Sequence, residues 1–111
     1  TKLYEDNVAA VKGKQAFLGL QSTSAWLLFA KVAKECDQAD DLTRTCMLER
    51  LAKVTSWTGG GLHAPTSPGT NEGPKCIVVL EVKDGVFTRW APTDKEFACS
   101  PKYVATVKPA S

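Results

Sequence analysis

A mixed α/β chain, two or three helices followed by a β-hairpin, is what this sequence predicts, and three observations carry the prediction. Apolar residues in the first half recur at offsets of three and four, the period of a helix face. A β-branched run over residues 76–83 meets Asp84-Gly85, the strongest short hairpin signal, before Val86 resumes the apolar pattern. A Gly- and Pro-rich stretch separates the two regimes.

In order along the chain, Leu3, Tyr4, Val8 and Val11 lie at spacings that suit a helix over residues 1–13, with Gly13 as its stop. Ser22, Thr23 or Ser24 is positioned to cap a second helix, whose stripe of Ala25, Leu28, Phe29, Val32, Ala33 and Cys36 reads as a core face. Trp26, Leu27 and Ala30 fall on another side of the same helix, so it calls for protein on more than one side. The polar stretch 37–42 is a turn. Asp41 or Thr43 then caps a third helix carrying Cys46, Met47, Leu48, Leu51, Ala52 and Val54.

Residues 57–74 hold too much Gly and Pro for a helix or a central strand, and form a long loop. If Lys83 pairs with Val86 in the hairpin, Val78, Leu80, Val82 and Phe87 share one face, and Ile77, Val79, Glu81, Thr88 and Trp90 the other. The tail from residue 91 is irregular, with Pro92, Pro101 and Pro109, though residues 103–107 suit a short strand.

The 111 residues fall in the single-domain range and can bury only a small core. A formal charge of +2, with the basic residues scattered, gives nucleic-acid or anionic-membrane binding no electrostatic support. The longest apolar run, Ala25 to Ala30, falls far short of the roughly 20 residues of a membrane span. The chain opens Thr-Lys-Leu-Tyr without a signal peptide, so a mature, trimmed or proteolysed product is expected. Cys36, Cys46, Cys76 and Cys99 lack metal-site spacing, and an even count without it favours two disulfides and an oxidising compartment. Of the three possible pairings we expect Cys36 with Cys46 and Cys76 with Cys99, because the helix pair and the folded-back tail bring those segments together.

Candidate chemistry is sparse. His63 is the only histidine, it lies in the loop, and a solvated or hydrogen-bonded role fits it better than that of a catalytic base. Asp37, Asp40 and Asp41 cluster, but without the Gly and terminal Glu of a calcium loop, so capping explains them more simply. The Gly59-Gly60-Gly61 triplet lacks the strand, helix and Lys-Ser/Thr pair of a phosphate cradle. Trp26, Trp57 and Trp90 are spread over helix, loop and strand, as core or interface residues are. No enzyme activity, cofactor or metal is expected.

Leu20-Gln21 followed by Ala25-Trp26-Leu27-Leu28-Phe29, then Asp41-Leu42-Thr43-Arg44 before Cys46-Met47-Leu48-Glu49, make a distinctive order. Trp57 ahead of Gly59-Gly60-Gly61-Leu62, Ser67-Pro68-Gly69, the run from Cys76 to Phe87, and Phe97-Ala98-Cys99-Ser100-Pro101 complete it. Over residues 15–101 the sequence resembles the C-terminal segment of type I periplasmic binding proteins, the extracellular receptors of branched-chain amino acid ABC transporters. The resemblance implies a fragment of a two-lobed α/β fold. Residues 1–19 would be the end of a second-lobe segment, and residues 20–111 crossover helices, loop and hairpin returning to the first lobe and hinge. It implies an amino acid or similar solute as ligand, with the rest of the receptor and a membrane permease as partners. The location would be extracytoplasmic: periplasmic, secreted or lipid-anchored.

Leu20, Gln21 and Ser22 are the residues expected to face the cleft, since they precede the expected helix N-terminus, where backbone amides can meet a polar ligand group. The surplus of apolar faces also points to a homodimer or to an accompanying N-terminal part. The alternative reading is a small secreted disulfide-bonded α+β module that binds a protein through Trp26, Trp57 and Trp90.

Overall fold

The computed structural model describes residues 2–105 and 107. Among them are three helices and two small antiparallel sheets, so the chain is mixed α/β as expected, and it divides into two compact units after Gly73.

In the first unit, α1 spans Lys2–Ala10. It ends in a Schellman motif: the amides of Lys12 and Gly13 reach back to the carbonyls of Ala9 and Val8. The left-handed residue is Lys12, at φ 51°, and not the expected stop Gly13. Tyr4 is buried, and its hydroxyl donates to the Ala16 carbonyl and accepts from the Ala16 amide, both at 3.1 Å. That clamp fixes the entry to α2, which spans Phe17–Asp37.

The helix therefore starts well before the expected cap at Ser22, Thr23 or Ser24. Ala16 is its N-cap and offers no side-chain hydrogen bond. The three hydroxyl residues lie inside the helix instead. Thr23 Oγ1 donates back to the Gly19 carbonyl at 2.9 Å, a common use of an interior helical threonine.

At the other end, Asp40 takes a left-handed φ of 53°, and the amides of Asp40 and Asp41 close on the carbonyls of Asp37 and Cys36. This turn delivers Thr43 as the N-cap of α3, Arg44–Ala52, where its hydroxyl accepts from the Cys46 amide at 3.2 Å and donates to Asp41 at 2.9 Å. Thr43 is thus the cap, and Asp41 supports it. The Cys36–Cys46 disulfide is formed between residues ten apart and closes the helix pair, a constraint worth roughly 3 kcal/mol in the chain-entropy account.

Nine residues of α3 are only about 13 Å long, whereas the 21 residues of α2 run to about 31 Å. The shorter helix covers the C-terminal part of the longer one, burying Val32 and Cys36. Ala25 and Phe29, expected on the core face, stay exposed. Trp26, Phe17 and Leu18 are 67%, 73% and 75% exposed.

Beyond α3 the chain is a long irregular loop, as expected, pinned at a few points. Trp57 and Thr66 exchange backbone hydrogen bonds of 2.8 and 2.9 Å. The Thr58 carbonyl accepts the amides of Gly61, Leu62 and His63. A short 3-10 turn at Pro68–Thr70 returns the Gly69 amide to the Val54 carbonyl, just past α3.

In the second unit, β1 (Cys76–Ile77) pairs with β4 (Ala98–Cys99), and the Cys76–Cys99 disulfide joins directly opposed residues. Both bridges have the expected partners. Strands β2 (Val79–Lys83) and β3 (Val86–Ala91) form the hairpin, with Lys83 opposite Val86 and Val82 opposite Phe87. Asp84 and Gly85 both have positive φ, the type I′ geometry that matches strand twist. An irregularity between Val79 and Leu80 sets Val79 against Ala91 and Leu80 against Arg89, leaving Trp90 out of the pairing. Every residue of β2 is exposed.

The strand expected over residues 103–107 is not formed at 103–105 or 107, and residue 106 lies outside the described residues. Pro101–Tyr103 is a 3-10 turn, held by the Ser100 hydroxyl accepting from the Lys102 amide at 3.2 Å.

Candidate functional site

Two features of the first unit bear on function. One is a closed polar cluster and the other an open apolar groove.

The cluster joins three residues far apart in sequence. Ser24, in the middle of α2, places its Oγ 2.6 Å from Nε2 of His63 and 2.9 Å from the indole N–H of Trp57. His63 Nδ1 lies 2.8 Å from the Ala64 carbonyl, which can only accept, so the ring proton is on Nδ1 and Nε2 accepts from the serine. The Ser24 hydroxyl therefore donates once and accepts once, and all three side chains are satisfied. A serine beside an imidazole suggests a nucleophile and its base. Here the orienting group is a backbone carbonyl, and Ser24 is 5% exposed beneath Gly59. A Cβ added to Gly59 would fall 2.5 Å from Ser24 Oγ, so the Gly loop lies directly against that oxygen. Chemically the cluster is a latch between α2 and the Gly loop, in keeping with the hydrogen-bonded role expected of His63.

The groove lies between α2 and α3 and encloses about 520 Å³. Its walls are apolar side chains from both helices, including Leu28, Phe29, Met47 and Leu48, with Arg44 the single charged residue among them. Phe29 also meets Trp26 edge to face, ring centroids 5.5 Å apart, which extends the apolar surface around α2. A second, more polar cleft runs past Lys31, Glu35, Arg50 and Lys53. There the hydrogen bond from Lys31, with the nearby positive charges of Lys31 and Arg50, holds the Glu35 carboxyl below its usual range.

Leu20, Gln21 and Ser22 lie within the first turns of α2 and not ahead of it, because the helix begins at Phe17. The Leu20 amide is bonded to the Ala16 carbonyl. The amide-based reason for placing them at a ligand is thereby removed, and the boundary at residues 19/20 falls within a continuous helix. The three tryptophans have separate surroundings: Trp26 exposed on α2, Trp57 in the latch, Trp90 exposed on β3. Among the described residues no group of His, Cys, Asp and Glu is placed to hold a metal ion.

No family model, curated protein or solved structure matches this chain. Two disulfides suit an oxidising compartment, and none of the described helices is long and apolar enough to cross a membrane.

From the sequence, Ser24 reads as one of three candidate helix caps and His63 as an isolated loop residue. Their contact depends on the left-handed turn at residues 59–61, for which the Gly triplet was the available signal. The groove was half visible, as apolar stripes on two helices taken to be core.

Proposed function

We propose that this chain is the C-terminal part of an extracytoplasmic solute-binding receptor for an amino acid or related small molecule, whose remaining part packs against α2 and the hairpin. The observation that carries the reading is uncovered apolar surface. Phe17, Leu18, Trp26 and Phe29 on α2, and Val82, Phe87 and Trp90 on the hairpin, are each more than half exposed, and large apolar side chains left in water in this way mark a surface that another protein segment covers. An isolated two-stranded hairpin is marginal in water, and β2 is exposed along its whole length, so added protein against the hairpin would stabilise it.

The sequence resemblance gives that covering protein its character: a first lobe, with the solute bound between lobes and closure presenting the complex to a permease. On this reading the two disulfides fit periplasmic or secreted exposure, and the groove and hairpin serve packing while the ligand cleft is completed elsewhere.

Expressing the chain with the whole of its reading frame, and screening the twenty amino acids by thermal shift, tests the proposal. A frame several times longer, whose product one or more amino acids stabilise, supports it. A frame that yields only this chain contradicts it, and a long product indifferent to every amino acid contradicts an amino acid as the ligand.

A further inference from the structure

We propose that the α2/α3 groove is the seat of a third, amphipathic α-helix that carries a carboxylate facing Arg44. Ala25, Leu28, Phe29 and Val32 stand at i, i+3, i+4 and i+7 of α2, and all four line the groove. Arg44, Met47, Leu48 and Leu51 repeat the same spacing on α3 and line it from the other side. Each set is one stripe of one helix face, so an apolar ridge on each helix flanks a single trough. The stripes run seven residues, about 10 Å, which two turns of a helix cover.

The walls select the class of occupant. Both are helices whose backbone groups bond internally, so no free edge exists for an extended segment to pair with, and side-chain packing of a helix is the mode that remains. The polar edge selects its charge. Arg44 has no ion pair among the described residues, and the neighbouring Thr43 hydroxyl is committed to Cys46 and Asp41. A carboxylate on the flank of the incoming helix complements it. The uncovered half of α2, from Phe17 to Ala30, contains no acidic residue, so that face of a second copy does not supply the carboxylate. The inference goes beyond the receptor reading by stating the chemistry of what covers α2. Its test does not use amino acid binding, so either can fail alone.

Met47 is the only methionine in the chain and lines the groove, which makes its methyl group a single-site reporter. The full chain, labelled at the methionine methyl, is titrated with a synthetic peptide bearing Leu at i, i+3, i+4 and i+7 and one flanking Glu. A saturable shift of the Met47 resonance is expected. Leu48→Asp, at a residue already 54% exposed, should abolish it while the rest of the spectrum stays folded. Arg44→Glu should weaken binding by up to about fivefold, and a Lys-for-Glu peptide should recover that loss. The proposal is overturned by no shift, by a shift that survives Leu48→Asp, or by dodecanoate producing the shift where the peptide does not. It is equally overturned if raising the chain's own concentration produces the shift without peptide. Indifference to the charge swap overturns the carboxylate.

Discussion

Ser24 Oγ and His63 Nε2 are separated by 2.6 Å, across 39 positions of sequence, and the indole of Trp57 closes the same oxygen from another side. This contact holds the Gly loop on α2. Ser24→Ala leaves the Trp57 N–H and the His63 nitrogen without a partner in a partly buried site, and should cost about 1–3 kcal/mol in urea denaturation. The double variant Ser24→Ala/His63→Ala should cost in total less than the sum of the two single changes, the signature of one shared network. A fluorophosphonate probe should not label Ser24; labelling lost in His63→Ala would make the pair a catalytic one.

Gly59 and Gly60 separate two effects of glycine. Both have positive φ, but a Cβ at Gly59 meets Ser24 Oγ at 2.5 Å, whereas nothing lies within 4 Å of one at Gly60. Gly60→Ala should cost on the order of 1 kcal/mol from backbone strain alone. Gly59→Ala should cost clearly more, and should alter the fluorescence of Trp57.

The hairpin was legible in its turn and in its pairing from Lys83–Val86 to Leu80–Arg89, because Asp84-Gly85 specifies a two-residue turn, but the bulge that moves Val79 from its expected place opposite Trp90 to Ala91 had no local signal. The disulfides were legible because each joins segments that local patterns already brought together. The start of α2 was not, since its entry is held by Tyr4 gripping Ala16 across 12 positions, and no local cap residue signals that. The stripe through Ala25 and Phe29 was legible as apolar but not as exposed, because periodicity shows which face seeks cover and says nothing of whether α3 is long enough to provide it.

The Lys31–Glu35 pair on α2 sets a pH dependence. Glu35 titrates below its ordinary value in the folded chain, chiefly through the hydrogen bond from Lys31. The folded state therefore binds fewer protons there than the unfolded chain, and the pair's contribution is present in full above the ordinary carboxylate range and disappears as pH falls through the folded value. Glu35→Gln should be slightly less stable than the parent at pH 7, and the two should converge in acid. At high salt the difference should shrink even at pH 7.

Non-reducing peptide mapping should recover Cys36 linked to Cys46 and Cys76 linked to Cys99. Replacing Cys36 and Cys46 together by Ser should lower stability by roughly 3 kcal/mol and loosen α3 from α2, measured by denaturation and by hydrogen exchange in residues 44–52. A Cys36–Cys76 link would contradict both the pairing and the separation into two units.

Light scattering combined with calorimetry on the lone chain tests the central claim most directly. We expect binding of a hydrophobic dye, or self-association that leaves the Met47 methyl resonance unmoved, no heat on titration with free amino acids, and amino acid binding recovered when the chain is prepared together with the rest of its reading frame. A compact monomer that binds an amino acid at micromolar strength by itself would show that this chain is a receptor domain in its own right, and would contradict the account.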